Sequence, residues 1–184
     1  IWPENTMHAF QHAIDLGYTY LETDVHLTAD GVVVAFHDET LDRMTDQVGR
    51  ISELSWEHLS QTKVSSSSSI PRLLDLLEEF PNSKLNIDPK SDSVVEPLAK
   101  LIRSTASIDR VCIGAFSDRR LTKLRKLLGP DLCTSAGPRD TARFRATVWG
   151  APLGQVRYRC LQVPLRFGRV PVLSERLIEK AHER

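Results

Sequence analysis

The sequence predicts an α/β fold of the TIM-type (β/α) barrel class, with the barrel incomplete. Apolar segments of strand length alternate with segments of helical periodicity, which favours parallel strands covered by helices. We count six strands, and the 184 residues fall short of the ~250 residues of a typical eight-stranded barrel. We therefore expect a barrel that lacks about one strand at each end. An open doubly wound sheet is the alternative, which is disfavoured because no Gly-rich dinucleotide turn is present.

The first half of the chain is predicted to contain a pair of strands and three helices. Gly17 is a stop signal for the first helix, TADG marks a turn between the two strands, and Pro71 suits the first turn of the third helix. In chain order, we expect a helix over 4–17, strands over 18–27 and 31–38, a helix over 51–62, a polar serine loop over 65–69 and a helix over 70–80.

The second half follows a regular strand–helix rhythm. Each predicted strand is a short apolar run, and each following segment places apolar residues at helical spacing. The strands are expected over 84–90, 110–116, 131–137 and 158–165, and the helices over 94–105, 118–129, 138–148 and 174–184. One domain over residues 1–184 accounts for the whole pattern.

Composition narrows the classes of function. The 24 basic and 24 acidic residues give a formal net charge of zero, which argues against nucleic-acid binding and against a polybasic membrane patch. No apolar run could span a bilayer and no stretch resembles a signal peptide, so we expect a cytoplasmic protein without stable membrane insertion. Cys112, Cys133 and Cys160 have no short metal-binding spacing, and we expect them to be buried, inert core thiols.

Acidic side chains recur in phase on two predicted strands. In YLETDVHL, Glu22 and Asp24 share one face, because side chains alternate across a strand. In KLNIDPK, one face carries Asn86, Asp88 and Lys90. Barrel enzymes build their active sites at the C-terminal ends of the strands, so the two faces would converge there. Three carboxylates suit a hard cation, Mg²⁺ or Ca²⁺, and the lysine could hold an anionic substrate group.

Simpler explanations of these residues also stand. The two acids of the first strand could face solvent on a half-exposed strand. His37, which follows the run VVVAF, fits a general acid or base, but a lone histidine at a strand end is more often only hydrogen-bonded. His8 and His12 are four apart on a helix and are best explained as part of a solvated face. His26 is in phase with the acids and is a weaker candidate ligand.

Several segments, taken in order, resemble the glycerophosphodiester phosphodiesterase family. They are PENTMHAF, YLETDVHLTADGVVVAFHDETLDRMTDQVGRI, IP and NIDPK, and they cover residues 3 to about 90. The resemblance implies a TIM-type barrel of the phospholipase-C-like phosphodiesterase superfamily. It also implies a divalent metal and the hydrolysis of small-molecule glycerophosphodiesters to glycerol 3-phosphate and an alcohol. Matched residue by residue, it implies metal ligands at Glu22, Asp24 and Asp88, one of two catalytic histidines at His37, and a substrate-binding lysine at Lys90.

The sequence departs from this family pattern in three places. The family's His-Arg-Gly triplet, the source of its other catalytic histidine and a phosphate-binding arginine, does not occur in these residues. Its last barrel segment, with a Trp-Thr-containing strand, is also absent. Asp88 stands where the family commonly has a glutamate, which reaches one methylene further. A catalytically incomplete fragment or a phosphate-binding pseudoenzyme is therefore an alternative.

A related phospholipase-type enzyme that acts on lipids is a further alternative. Such an enzyme needs access to lipid and an exposed apolar rim. LRFGRVPVL, residues 165–173, is the one candidate, and its sequence is more typical of loop and core.

The link between the first two strands allows two interpretations. HLTADG has no room for a crossover helix and is typical of a hairpin, which would carry His37 to the wrong end of the barrel. The resemblance implies an extended return, with both strands ending at the same face, and this is our expectation.

Overall fold

The computed structural model describes residues 2–65 and 68–183, and a five-stranded sheet forms its centre. In chain order the strands are β1 (Tyr20–Leu27), β2 (Val33–Ala35), β3 (Lys63–Val64), β4 (Ser68–Ser69), β5 (Lys84–Pro89), β6 (Val111–Ile113), β7 (Cys133–Thr134), β8 (Arg166–Phe167) and β9 (Val170–Pro171). The central sheet has the order β2-β1-β5-β6-β7 and does not close within the described residues. β3 with β4 and β8 with β9 form two small antiparallel pairs.

Seven α-helices are present among the described residues. They are α1 (Met7–Asp15), α2 (Trp56–Gln61), α3 (Leu73–Glu79), α4 (Val95–Ser104), α5 (Asp118–Leu128), α6 (Pro138–Ala146) and α7 (Glu175–His182). Four of them begin after a hydroxyl side chain that accepts a hydrogen bond from the first turn, at Thr6, Ser55, Ser117 and Ser174. None of the described helices has the length and apolar character needed to cross a bilayer.

The inner strands and the helices that follow them share the larger of two buried apolar clusters. Ile87 on β5 and Ile113 on β6 are fully buried in one apolar cluster with residues of α4 and α5, such as Leu98 and Leu121. Because side chains alternate along a strand, the opposite face of the sheet is free to carry polar groups. The predicted alternation of parallel strands and covering helices is confirmed, with β1, β5, β6 and β7 all parallel.

The expected extended return after β1 is wrong. β2 pairs with β1 in antiparallel register, with Val25 opposite Ala35 and Leu27 opposite Val33. β1 runs two residues past Val25, the last position that pairs with β5. The β1–β2 hairpin therefore projects beyond the C-terminal end of β5. The returning chain therefore comes back to the level of Asp24, where Phe36 N–H donates to the Asp24 carbonyl at 3.0 Å.

The sixth predicted strand, over 158–165, is also wrong as a regular element. Of it the structure keeps an isolated parallel bridge between Ser135 and Cys160. Two backbone hydrogen bonds flank this bridge. Arg159 N–H donates to the Thr134 carbonyl and Ala136 N–H donates to the Cys160 carbonyl, each at 2.9 Å. The apolar pattern correctly predicted that this segment contacts the sheet, but the residues on either side of Cys160 form no regular strand.

The middle of the chain, from Ile51 to Arg72, has more and shorter elements than predicted. The predicted helix over 51–62 splits into a 3₁₀ turn, Ile51–Glu53, and α2, with Ser55 capping the second part. The predicted serine loop is partly a strand, because β4 pairs with β3, while Ser66 and Ser67 lie outside the described residues. Pro71 precedes α3 by two residues instead of standing in its first turn.

Truncating Ile87 to alanine is expected to lower the free energy of unfolding by ~2–5 kcal/mol, because the side chain is fully buried and its loss leaves a cavity. Urea denaturation of the two proteins measures the difference. Leu16→Ala is the matched control, since Leu16 is 64% exposed and its truncation should change the free energy by about 0.5 kcal/mol or less. Equal losses in both variants would contradict this description of the core.

Candidate active site

The acidic residues of β1 and β5 lie side by side on the face of the sheet that the helices do not cover. Glu22 pairs in register with Asn86, and Asp24 pairs with Asp88. Alternation along each strand puts their neighbours, such as Ile87, in the apolar layer on the opposite face. The structure therefore brings together the two acidic strand segments that the sequence predicted to converge.

The Lys90 ammonium lies between two of these carboxylates. Its Nζ is 2.7 Å from Asp24 Oδ1 and 3.1 Å from Asp88 Oδ2. Burial by itself would lower the pKa of Lys90, but the hydrogen bonds and charges of Asp24 and Asp88 outweigh it and raise the pKa. The lysine stays charged at neutral pH, next to a face that is otherwise negative.

Glu22 stands at the open edge of the same face. Its side chain keeps access to solvent, but the surrounding protein removes part of its hydration, and this is the largest cause of its raised pKa. The charges of Asp24 and Asp88 raise the pKa further, whereas Lys90 and His37 lower it. Three carboxylates thus face one ammonium group, which leaves two negative charges without a fixed partner among these residues.

This residue set fits a divalent cation by its charge and by its donor atoms, because carboxylate oxygens are the ligands that Mg²⁺ and Ca²⁺ prefer. In the described part of the chain, Glu22, Asp24 and Asp88 do not bring three oxygens within 4.8 Å of one another. One oxygen of Asp24 and one of Asp88 contact the Lys90 ammonium instead. Their role as metal ligands remains a prediction.

Asn5 supports the acidic face from the segment before α1. Its Nδ2 donates to Asp24 Oδ2 at 3.4 Å, and its Oδ1 accepts from Thr23 Oγ1 at 2.7 Å. The backbone of Asn5 has φ 54°, a left-handed conformation that asparagine tolerates better than most residues. Asn5 was not among the site residues predicted from the sequence. Its signal was the PENT segment, in which Asn5 immediately precedes the helix-capping Thr6.

His37 reaches the site because of the hairpin, and not despite it. The acids sit at the third and fifth positions of the eight-residue β1, so a strand that runs back along β1 returns to their level. His26 Nε2 lies 3.1 Å from the His37 carbonyl oxygen and donates to it, which fixes the backbone at this point. Burial lowers the pKa of His26 and keeps it neutral, so it is a structural donor here.

A carboxylate and a guanidinium position the His37 ring. His37 Nδ1 is 2.6 Å from Asp38 Oδ1, and the ring itself is 53% exposed. Arg43 donates from Nε to Asp38 Oδ2 at 2.6 Å and from Nη2 to Glu4 Oε1 at 2.5 Å. The hydrogen bond from Arg43 and then that from His37 hold the pKa of Asp38 well below its usual range. Asp38 therefore stays ionised and can fix the ring with Nε2 free to exchange a proton.

A cavity of about 780 Å³ opens next to the acidic face. Glu22, Asn86 and Asp88 line one side of it. The other side is largely apolar and includes Ala115, Phe116, Ala136, Phe167, Val170 and Val172. The site therefore combines a charged end with an apolar wall.

The segment over 165–173 forms part of this wall, and our expectation of loop and core for it is wrong. It folds as the β8–β9 hairpin, with Phe167 paired to Val170. Leu165 and Phe167 are each 74% exposed and Val170 is 50% exposed. The segment is an exposed apolar rim.

Comparison with known proteins identifies the chain's family. The family model for the glycerophosphoryl diester phosphodiesterase family matches residues 1–184, and the chain belongs to this family. It is 37% identical over 188 residues to a probable glycerophosphodiester phosphodiesterase 2 of Mycobacterium tuberculosis, covering 98% of this chain and 70% of the relative. It is also 36% identical over 115 residues to a lysophospholipase D of Homo sapiens, covering 54% of this chain and 37% of that protein.

Among solved structures, the chain resembles a phosphodiesterase of Oleispira antarctica in complex with the product sn-glycerol-3-phosphate. The TM-score is 0.65 at 26% identity, over 72% of this chain and 60% of that one. These comparisons confirm the predicted resemblance and the predicted class of fold, a TIM-type barrel that is incomplete over these residues. The chain spans 70%, 37% and 60% of the lengths of the three proteins.

Proposed function

We propose that these residues form part of one catalytic domain that hydrolyses glycerophosphodiesters to glycerol 3-phosphate and an alcohol with a divalent metal. The observation that carries the proposal is the row of Glu22, Asp24 and Asp88 on adjacent parallel strands, of which Asp24 and Asp88 share the ion pair with Lys90. A phosphodiester is an anion, and a site with excess negative charge can bind it only if a cation is also present.

Each side chain then has a separate task. Glu22, Asp24 and Asp88 would hold Mg²⁺ or Ca²⁺, which when bound polarises a phosphoryl oxygen and acidifies an attacking hydroxyl. Lys90 stabilises negative charge on the phosphoryl group from its place between two of the carboxylates. His37 exchanges a proton at Nε2, while its Nδ1 stays on Asp38.

The direct experiment is an assay of the full-length protein with glycerophosphocholine, first after chelation and then with Mg²⁺ or Ca²⁺ restored. We expect glycerol 3-phosphate and choline in equal amounts, only when the metal is present. Release of glycerol and phosphocholine would place the cleaved bond on the other side of phosphorus. Metal and substrate binding without any turnover would favour the phosphate-binding pseudoenzyme.

Replacing Asp38 with asparagine is expected to lower kcat by ~10–10⁴-fold, because the partner that orients a histidine contributes ~10–100-fold at metal-bound rings and ~10⁴-fold in hydrolytic triads. The amide can no longer take the ionised form that faces both His37 Nδ1 and Arg43. Steady-state kinetics measure the change, and KM should stay close to the wild-type value. Asp42→Asn, at a neighbouring exposed residue, is the control and should leave kcat unchanged. A similar loss in both variants would mean that Asp38 does not position His37.

A lipid phosphodiester is the second candidate substrate, and the apolar cavity favours it. An acyl chain could lie against Phe167 and Val170 while its phosphodiester group meets the charged end. Similarity to a lysophospholipase D supports this candidate. We expect Phe167→Ser to raise KM for lysophosphatidylcholine by about tenfold, from the apolar contact it removes, and to leave KM for glycerophosphocholine unchanged. Equal effects on the two substrates would exclude a dedicated acyl site on this hairpin.

A further inference from the structure

All three cysteines of the chain meet at one point of the sheet. Cys112 Sγ and Cys160 Sγ are 3.6 Å apart, and the three Sγ atoms of Cys112, Cys133 and Cys160 all lie within 4.8 Å of one another. All three residues are half-buried free thiols. The expectation of buried core thiols is therefore wrong, because all three are only half-buried, and residues 21 and 27 positions apart in sequence form a single cluster.

The parallel register explains how distant cysteines come together. Cys112 on β6 pairs with Asn86 on one side and with Cys133 on the other, so the three side chains follow one row across the sheet. The isolated bridge to Ser135 then places Cys160 beside the end of β7. Backbone hydrogen bonds from Arg159 N–H to the Thr134 carbonyl and from Ala136 N–H to the Cys160 carbonyl hold the third thiol at this place.

We propose that Cys112, Cys133 and Cys160 form a binding site for one soft cation, Zn²⁺ or Cu⁺, through three thiolates. Thiolates select soft cations, and a Zn–S distance of ~2.3 Å in tetrahedral geometry places the sulfurs about 3.8 Å apart. The observed 3.6 Å between two of the sulfurs is close to this value. The fourth position is left for water or another small ligand.

Metal binding at this cluster should release protons, and its affinity should therefore depend on pH. The hydrogen bond between Cys112 and Cys160 raises the pKa of the Cys112 thiol and lowers the pKa of the Cys160 thiol to about 7, so Cys112 at least keeps its proton when no cation is bound. Binding of Zn²⁺ forms up to three Zn–S bonds and releases the corresponding thiol protons to water, with no change of oxidation state. Binding should therefore weaken as the pH falls.

This sulfur site is distinct from the acidic face, although the two share a row of the sheet. The row runs from Glu22 through Asn86 to Cys112 and Cys133. Asn86 separates hard oxygen donors from soft sulfur donors. Its Oδ1 is buried and accepts no hydrogen bond from the described residues, so an acceptor next to the thiol cluster is available to a water bound there.

A disulfide explains the arrangement less well. Cys112 and Cys160 would have to close from 3.6 Å to about 2.05 Å, and the third thiol would have no role. Three sulfurs around one point are what a single cation needs.

The test is a titration of the reduced, metal-free full-length protein with Co²⁺ as an optical probe, followed by displacement with Zn²⁺. We expect one sulfur-to-cobalt charge-transfer band that saturates at one ion per cysteine cluster and disappears when Zn²⁺ is added. Cys133→Ser should weaken cobalt binding at this site by about tenfold or more, since one thiolate is removed. Asp88→Asn, which changes the acidic face alone, is the matched control and should leave the band intact.

A second measurement needs no variant and so does not depend on how Cys133→Ser folds. Zn²⁺ should protect all three cysteines of the wild-type protein from alkylation by iodoacetamide, as followed by peptide mass spectrometry. The proposal is overturned if the wild type gives no charge-transfer band, if the band survives Cys133→Ser unchanged, or if fewer than three cysteines are protected. Loss of two hydrogens between Cys112 and Cys160 without metal uptake would equally overturn it, in favour of a disulfide.

Discussion

Replacing Asp24 with asparagine in the full-length protein is expected to lower kcat/KM by ~10³-fold or more. Asp24 is buried, contacts Lys90 at 2.7 Å and is held by Asn5, so it is the fixed centre of the acidic face. A metal supplies several kcal/mol of charge stabilisation in the transition state, and each 1.36 kcal/mol is a factor of ten in rate. Initial rates of glycerophosphodiester hydrolysis measure this effect.

The control for this variant is Asp15→Asn, the same chemical change at an exposed position of α1. It should leave kcat/KM within about twofold of wild type, because surface substitutions away from a site have small effects. Thermal denaturation of Asp24→Asn separates loss of the site from loss of the fold. An Asp24→Asn protein that is folded and retains most of its activity would contradict the assignment of Asp24 as a metal ligand.

Replacing His37 with alanine is expected to lower kcat by ~10²–10⁴-fold, the usual contribution of a positioned acid or base. Metal affinity should be nearly unchanged, because the exposed His37 ring is hydrogen-bonded to Asp38 and is not one of the proposed metal ligands. Those ligands are the carboxylates, two of which contact Lys90. Steady-state kinetics and calorimetric metal titration of the same sample measure the two effects separately.

His58→Ala is the matched control for His37, since His58 is exposed on α2 and belongs to no part of the site. It should leave both kcat and metal affinity unchanged. If His37→Ala abolished metal binding together with activity, His37 would be a ligand, and its role as a proton carrier would be wrong.

The acidic face could be predicted from sequence because its signal is strictly local. The spacing of two between Glu22 and Asp24 is enough to put both on one face, and the parallel rhythm then sets them beside Asp88. Lys90 was predicted to share their face for the same reason. Its position between two carboxylates was not, because that depends on side-chain conformation and on competing charges.

The features that sequence reasoning missed depend on contacts between distant segments. A spacing rule cannot show that Asn5 reaches Asp24 across 19 residues or that Arg43 reaches Glu4 across 39. The direction of β2 was wrong because the family resemblance was weighed above the short turn, whose length is typical of a hairpin. The cysteine cluster has no signal in sequence spacing, because the register of β6 and β7 and the bridge between Ser135 and Cys160 bring the three thiols together.

The exposure of the β8–β9 hairpin is a feature that composition could not predict. Its apolar residues have the composition of a core segment, and yet Leu165 and Phe167 are mostly exposed. Composition reports how much apolar surface a segment has, but it does not report what covers that surface. The lipid alternative, which the sequence argued against on this ground, is therefore stronger once the hairpin is seen.

The most direct test of the central claim is a calorimetric titration of Mg²⁺ and of Ca²⁺ into the full-length protein and its Glu22→Gln variant. Glu22 feels the charges of both other carboxylates, so removing its charge relieves the repulsion that a cation would otherwise offset. We predict one hard-cation site per domain in the wild type, with affinity at least about tenfold weaker in the variant, in parallel with loss of hydrolysis. Equal affinity in the two proteins, or hydrolysis that continues when no cation binds, would contradict the claim that this acidic face is a metal site.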